Sequence, residues 1–412
     1  MGSSAKIQQY HYTETATFAT ALPALGDAWT HIPALEGASF SPVQGFDQAQ
    51  EGDTDGLPTP QVATVKSASG TMTARIYNGP ATDGFGGTLA APSSFYLQKL
   101  LENYFNASAA SFVGTTVGAA SGPGTTTSAV VTTTTGMDIG AAQLFAGASG
   151  TPECRFVTEV VDGTHAKYDR DLVTAANYAS AAKIYGSWSL SPVLGEVTKQ
   201  IHIHEKRDAY RYQYGTGIIS ALELGNFAAQ APLTWNFTHM ADSFAQSGAD
   251  VTTHTDNSTT FTGAPLITKG AVLSINGVEY CASAFTFNPG ISKQEQLCAS
   301  GTNGRSGWSN VEVMGKGSVT LYYSDTLQDL AEANTPVPLT LFITNGSTGA
   351  AMAAGALALY IPRAQFDMPD KNAVINGMNA MTLNFTCLGP TTAQQATGVT
   401  KSMYLSIFGG KA

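Results

Sequence analysis

Two stretches of the chain share one pattern of apolar and polar positions, and each reads as a strand feeding a helix. After Gly70 and after Gly317 apolar and polar residues alternate, in Gly70-Thr-Met-Thr-Ala-Arg-Ile-Tyr77 and Gly317-Ser-Val-Thr-Leu-Tyr-Tyr323. That is the period of a strand with one buried face. The period then lengthens. Leu97, Leu100, Leu101 and Tyr104 in the first stretch, and Leu327, Leu330 and Ala331 in the second, fall on one helical face. Both helices are therefore predicted to lie on a sheet, each fully buried Leu contributing roughly 1.5–3 kcal/mol. The first is expected to start at Ser93 or Ser94, after Pro92. The second is expected to start at Asp325, with Gln328 three residues on to complete a capping box.

The likeness continues on both sides. Phe40-Ser-Pro42 matches Phe287-Asn-Pro289, and both Pro42 to Gly70 and Pro289 to Gly317 are 28 positions. Downstream, Pro232-Leu-Thr-Trp-Asn-Phe-Thr238 answers Ala380-Met-Thr-Leu-Asn-Phe-Thr386. The spacing then breaks: Tyr104 to Asn236 is 132 positions and Asn334 to Asn384 is 50. The excess of about 80 residues in the first copy is the size of a small inserted domain. The expected organisation is a discontinuous first domain (1–112 and 186–246), an insertion (113–185), a Ser/Thr/Asp linker (247–262) and a second domain (263–412). Within the insertion Asp162-Gly163 lies between two alternating runs, a strong hairpin signal, and a small β-barrel is expected.

Residues 1–30 are polar and rich in Thr and Ala, and read as an arm ordered only by contact with something else. Gln44 to Gln61 and Gly290 to Ser309 read as two long polar loops, and loops of such length are usually functional or disordered. Across 412 residues, 43 Gly and only 12% charged residues fit a β-rich chain of two or three domains. No run reaches the roughly 18 apolar residues of a membrane span, so membrane insertion is not expected. The N-terminus lacks the apolar core of a secretory signal, which fits synthesis in the cytoplasm.

A net charge of −10 argues against a surface that grips phosphate, and suits one that nucleic acid slides past. Candidate chemistry is sparse. His202-Ile-His204 puts two imidazoles on one strand face without a third ligand, and Asp53-Thr-Asp55-Gly56 lacks the rest of a calcium loop. Gly84-Phe-Gly86-Gly87 has no following Lys-Ser/Thr, and Cys154, Cys281, Cys298 and Cys387 show no paired spacing, so buried reduced thiols are expected. Lys206, Arg207, Tyr210, Arg211, Tyr212 and Tyr214 read as an exposed hairpin edge or subunit contact before a single-strand grip. No metal, cofactor or catalytic residue is assigned.

Thr198 to Phe244, with its Gly215-Thr-Gly217 turn and the strands Ile218–Leu224 and Leu233–Met240, resembles the tail tube proteins of long-tailed bacteriophages. Gly70 to Tyr77 with Ser93 to Phe105, Gly317 to Asn334, and Leu359-Tyr-Ile-Pro362 resemble further elements of that family. The resemblance implies a mainly β fold: two β-sandwich domains, each with one flanking helix, whose inner sheets join between subunits into a closed barrel. It implies a structural virion protein forming stacked rings, a conduit for DNA, located in the tail and assembled in the host cytoplasm. Tail terminator, tail tip and tape measure proteins, then viral DNA, are the implied partners. By position, inter-ring contacts would fall to Gln44, Phe46, Asp47, Glu51, Asp53 and Asp55, and to Ile291, Lys293, Glu295, Arg305 and Trp308. Two copies per chain suggest three chains in a ring of pseudo-sixfold symmetry, with a neutral or acidic lumen and the insertion outside. The rivals are a tube-like protein of the tail tip, and a carbohydrate-binding β-sandwich with Trp188 or Trp308 as a stacking platform.

Overall fold

The alternating pattern becomes 28 strands and three short helices among the described residues of the computed structural model. It describes residues 8–15, 22–35, 37–47, 62–76, 97–108, 110–111, 114–116, 129–146, 153–171, 183–207, 210–227, 231–246, 249–251, 254–255, 266–268, 271–298, 305–344, 356–370 and 373–408.

The chain opens with β1 (Gln8–Thr15), β2 (Trp29–Ile32), β3 (Ser39–Asp47), β4 (Val62–Arg75), α1 (Gln98–Phe105) and β5 (Ala110–Ser111). An excursion follows: β6 (Gly114–Thr116), β7 (Ala129–Val130), β8 (Ala142–Ala146), β9 (Glu153–Val160), β10 (His165–Tyr168) and β11 (Lys183–Tyr185). Next come β12 (Trp188–Leu190), β13 (Gly195–Glu196), β14 (Gln200–Arg207), β15 (Tyr210–Phe227), β16 (Thr234–Gln246) and β17 (His254–Thr255). The second half holds β18 (Val272–Ile275), β19 (Val278–Tyr280), β20 (Ala282–Asn288), β21 (Ile291–Leu297), β22 (Arg305–Val313), β23 (Lys316–Tyr322) and α2 (Asp325–Glu332). It ends with β24 (Val337–Thr344), β25 (Ala356–Phe366), β26 (Val374–Ile375), β27 (Met378–Cys387), α3 (Thr392–Ala396) and β28 (Tyr404–Phe408).

Neighbour pairing gives the order β3-β4-β16-β15-β14-β1-β2 in the first half. The second half gives β20-β23-β27-β25-β24-β18-β19. The two orders are the same when read by position in the chain, with β1 answering β18, β4 answering β23 and β16 answering β27. Phe40 faces Gly70 across β3 and β4 just as Phe287 faces Gly317 across β20 and β23. Both helices end beside a left-handed asparagine, Asn106 at φ 53° and Asn334 at φ 52°.

The tail of β15 runs past β14; one edge stays paired with β16 while the other pairs with β20, through Leu224 to Phe287 and Phe227 to Phe285. Eight strands, β3-β4-β16-β15-β20-β23-β27-β25, thereby form one antiparallel ribbon. One face of the ribbon supplies Met72, Phe237, Leu222, Phe285, Phe287, Val319, Leu383 and Phe385 to the main core.

The excursion makes a separate six-stranded sheet, β6-β11-β8-β9-β10-β7, curved into a half-barrel. The Thr132 N–H donates to the Thr116 carbonyl at 2.9 Å, linking its two edge segments. Although it leaves the chain within the first set, it packs on the second: Leu144 and Phe156 join Phe342, Tyr360 and Phe408, with Phe156 stacked on Tyr360 at 5.1 Å. Its stems do likewise, since β5 pairs with β12 and β12 with β28.

Several expectations change. The N-terminal stretch is not a free arm over residues 8–15: β1 lies between β14 and β2, burying Tyr10 and Tyr12, because alternate aromatics give it a core face. α1 starts at Gln98 after Leu97, and Ser93 and Ser94 lie outside the described residues. α2 begins after Ser324 with no side-chain cap; Gln328 instead accepts from the Tyr323 hydroxyl and donates to Glu332. The capping box belongs to α3, where Thr391 and Gln394 cap each other's backbone at a helix that hydrophobic periodicity did not reveal. The Asn-Phe-Thr motifs are offset by two rungs, Gly70 facing His239 while Gly317 faces Phe385. Gly290 to Ser309 is not a loop throughout, because β21 and β22 pair as a hairpin and add β13 to form a three-stranded sheet. Cys281 is exposed and Cys298 half-buried; Cys154 and Cys387 are buried, their thiols pushed up by burial, Cys387 to about 12.

Candidate functional surface

The second face of the eight-stranded ribbon is built mostly from Ser, Thr and Asn side chains with a few charges among them. Strand alternation brings them into rows. One row runs Ser39, Thr71, Thr238, Ala221, and its counterpart in the second set runs Thr286, Ser318, Asn384, with Asp367 donating its N–H to the Asn384 carbonyl at 2.9 Å. The next rows hold Thr73, Asn236, Glu223 and Thr320, Thr382, Asp370. All of these are half-buried or exposed, whereas their neighbours along each strand point into the core.

The side chains on this face bond to each other across the strands. Thr73 donates to Asn236 at 3.0 Å, Thr286 and Ser318 share a bond of 2.8 Å, and Thr320 and Thr382 one of 3.0 Å. Each of these bonds takes up one hydroxyl donor of the face. Charges are few and of both signs: Glu223, Asp367 and Asp370 against Arg75, Lys316 and Arg363. Such a face has no basic stripe with which to hold a phosphate backbone.

The loop residues singled out from the sequence fall in three places. Gln44, Phe46 and Asp47 lie on β3, paired along β4, while Glu51, Asp53 and Asp55 lie outside the described residues. Ile291, Lys293 and Trp308 fold back on their own chain. The Ile291 N–H donates to the Tyr104 hydroxyl at 3.2 Å, and the Lys293 ammonium donates to the Asn103 carbonyl at 3.1 Å while lying 5.5 Å from the Tyr104 ring. Burial pushes the Lys293 ammonium down to about 7. Trp308 is buried with Val197 and Ile218. Glu295 pairs with Trp308 along the hairpin and Arg305 with Leu297, which is 77% exposed. Of the helix residues, Leu97, Leu100, Leu101, Tyr104 and Leu327 are buried and Leu330 packs partly buried against the main core.

The basic and aromatic cluster at the β14–β15 hairpin is engaged internally. Lys206 and Arg211 both pair with Asp250, Lys206 at 2.9 Å. Arg207 reaches Glu205 at 2.9 Å, and Tyr214 donates to Glu205 at 2.8 Å while stacking on Phe40 at 4.5 Å. Its charges are spent on this fold rather than offered to nucleic acid. His202 accepts the Thr216 N–H at 3.1 Å and meets the Thr15 hydroxyl at 2.9 Å; burial lowers its imidazole to about 4. Among the described residues no group of three or more His, Cys, Asp or Glu is placed to hold a metal ion, and no helix is long and apolar enough to cross a membrane. Trp188 and Trp308 are both buried, so neither offers a platform to a sugar ring.

The described residues build a β-rich scaffold whose second face carries rows of short polar side chains. The chain belongs to the phage tail tube protein family, whose sequence model matches it over residues 5–389. No curated protein matches the chain. Membership makes it a non-enzymatic component of a bacteriophage tail.

Proposed function

We propose that the protein assembles head to tail into rings that stack into the tail tube, and that the polar face of the ribbon lines its lumen. What supports this reading is the eight-stranded ribbon itself: it is antiparallel throughout, continuous across the two halves, and ends in β3 on one side and, past the part of β25 that β24 covers, in the 365–370 stretch on the other. An open sheet of this length with unlike ends is completed by copies of itself, which pair the edges that would otherwise invite irregular association. The two strand sets are then two tube domains, one interrupted by the half-barrel of 113–185. Three chains close a ring of pseudo-sixfold symmetry, because each chain already supplies two of the repeating units.

In this reading the Ser, Thr and Asn rows give DNA a wall it does not adhere to, and the overall negative charge of the chain adds weak repulsion that acts over the ~8–10 Å of the Debye length. The exposed end of the β21–β22 hairpin, with the 44–61 stretch, meets the adjacent ring. The half-barrel sits on the outside, tape measure protein and later DNA occupy the bore, and terminator and tip proteins close the ends.

Negative-stain microscopy of the purified protein at rising concentration tests the proposal. Hollow filaments or rings with threefold-compatible class averages are expected. Monodisperse particles of one chain at every concentration would reject assembly. Sixfold averages with one whole chain per repeat would reject the trimer.

A further inference from the structure

A cleft of about 670 Å³ opens where the half-barrel meets both strand sets, within the roughly 300–1,000 Å³ range of small-molecule sites. Three turns wall it. The first is the end of α1 at Asn106, whose left-handed backbone redirects the chain and whose side-chain amide donates to the Glu196 carbonyl at 2.9 Å. The second is the half-barrel turn that carries Asp138, closed by the Ala141 N–H on the Asp138 carbonyl at 3.2 Å. The third leads from α3 into β28 and carries Lys401. There the Tyr404 hydroxyl accepts both the Thr400 N–H and the Lys401 N–H, at 3.0 and 3.1 Å. The second and third turns interlock, because the Ile139 side chain occupies the place where a Cβ on Gly398, at φ 98°, would stand. Held by these bonds and this fit, the cleft is formed before any ligand arrives.

Two unspent charges mark this cleft. Elsewhere in the chain neighbouring opposite charges pair, Lys167 with Glu159 at 2.7 Å and Lys199 with Glu102 at 3.1 Å. Asp138 and Lys401 line one cleft, yet among the described residues neither side chain makes an ion pair or a hydrogen bond. Asp138 is half-buried, and desolvation without a compensating partner pushes its carboxyl up. A carboxylate in that state gains from an arriving ammonium, which supplies the partner that burial withheld. Ser189, Ser191 and Thr400 add hydroxyls to the lining, and Ile139, Val160 and Val193 add methyl groups. We propose that the cleft binds a short peptide with free ends, its ammonium seated on Asp138 and its carboxylate on Lys401. The ligand carries both charges because the cleft offers one of each sign on different walls and neither is used within the fold. A neutral sugar leaves both without a partner, and a simple cation or anion leaves one. The methyl-lined parts suit small apolar side chains such as that of alanine. No described residue of the ribbon lines the cleft, which therefore does not depend on ring assembly.

Calorimetry and saturation-transfer NMR on the full chain test this with trialanine, N-acetyl-trialanine, trialanine amide and maltotriose. Trialanine is expected to bind saturably, and blocking either end to weaken binding at least about tenfold. Asp138→Asn is expected to abolish the difference that acetylation makes while keeping the one that amidation makes. Lys401→Met is expected to do the reverse. Absence of saturable trialanine binding up to about 10 mM, or equal binding of free and blocked peptides, overturns the proposal. Maltotriose binding as tightly as trialanine overturns it too, and reassigns the cleft to sugars. Should either variant fail to fold, as judged by circular dichroism, the comparison of free with blocked peptides on the unaltered protein still decides.

Discussion

α1 and α2 hold the same place in two strand sets of the same order, yet seven of the eight residues of α1 are buried against two of α2. Their own apolar faces do not account for this, since Leu100 and Leu327 are each buried on the sheet side. What differs is the layer above. The β21–β22 hairpin of the second set lies across α1, with Ile291 and Lys293 bonded to Tyr104 and Asn103, while α2 presents Asp325, Asp329 and Glu332 to water. Two copies of one pattern thus acquire different environments because one has a neighbour within the chain. A helix's burial is a property of the assembly around it as much as of its sequence.

The largest test of that difference is truncation of the two equivalent leucines. Both Leu100→Ala and Leu327→Ala are expected to destabilise, within the range of about 2–5 kcal/mol for such changes, with Leu100→Ala at the upper end. Packed on both sides, the α1 site has less freedom to collapse around the void. Urea unfolding measures the pair, and equal losses would erase the distinction between the two helices.

Acid should separate the halves next. All seven histidines precede residue 263, so the second set has none. His239 donates its Nε2 proton to the Ile201 carbonyl at 2.9 Å, and desolvation lowers both His202 and His239 to about 4. These imidazoles bind protons more weakly folded than unfolded. Stability contributed by keeping them neutral is therefore full above about pH 6.5, falls as the pH drops toward 4, and changes little below that. Each histidine costs up to about 1.4 kcal/mol per pH unit within the window. Hydrogen exchange at pH 7 and pH 5 is expected to show β14, β15 and β16 losing protection before β23 and β27. Loss in both sets together would contradict the assignment.

The smallest contrast concerns Gly70 and Gly317. A Cβ at Gly70 meets the ring of Phe40 on the half-buried β3 edge, whereas one at Gly317 meets the Thr286 carbonyl and the buried Phe385 ring. Gly317→Ala is expected to cost about 1–3 kcal/mol by overpacking, and Gly70→Ala less, because the Phe40 ring can swing outward. Thermal melts of the two variants check the order.

Much of this was legible in the chain. The Gly-led strands, the Leu face of each helix and the paired Phe-x-Pro segments reported local geometry, because side-chain period follows directly from backbone form. The hairpin at Asp162-Gly163 was legible for the same reason: β9 and β10 flank it, and Asp162 accepts the Thr164 N–H at 2.7 Å. The Thr391-x-x-Gln394 cap was equally local and equally readable, though α3 is too short for periodicity to flag. The hairpin at Ile291–Val313 is not legible locally, because its strands carry polar residues on both faces and owe their place to α1 and β13, nearly 100 residues or more away in sequence.

The amino-acid order by itself determined which segments alternate with period two and which turn helical, since these depend on contacts within a few residues. Only the folded chain decided that the excursion rests on the opposite copy, that β1 is a core strand, and that the tail of β15 crosses to β20. Those choices are made by long-range edges finding partners. An unpaired strand edge is satisfied by whatever compatible edge the rest of the molecule brings within about 5 Å, and no local pattern names it in advance.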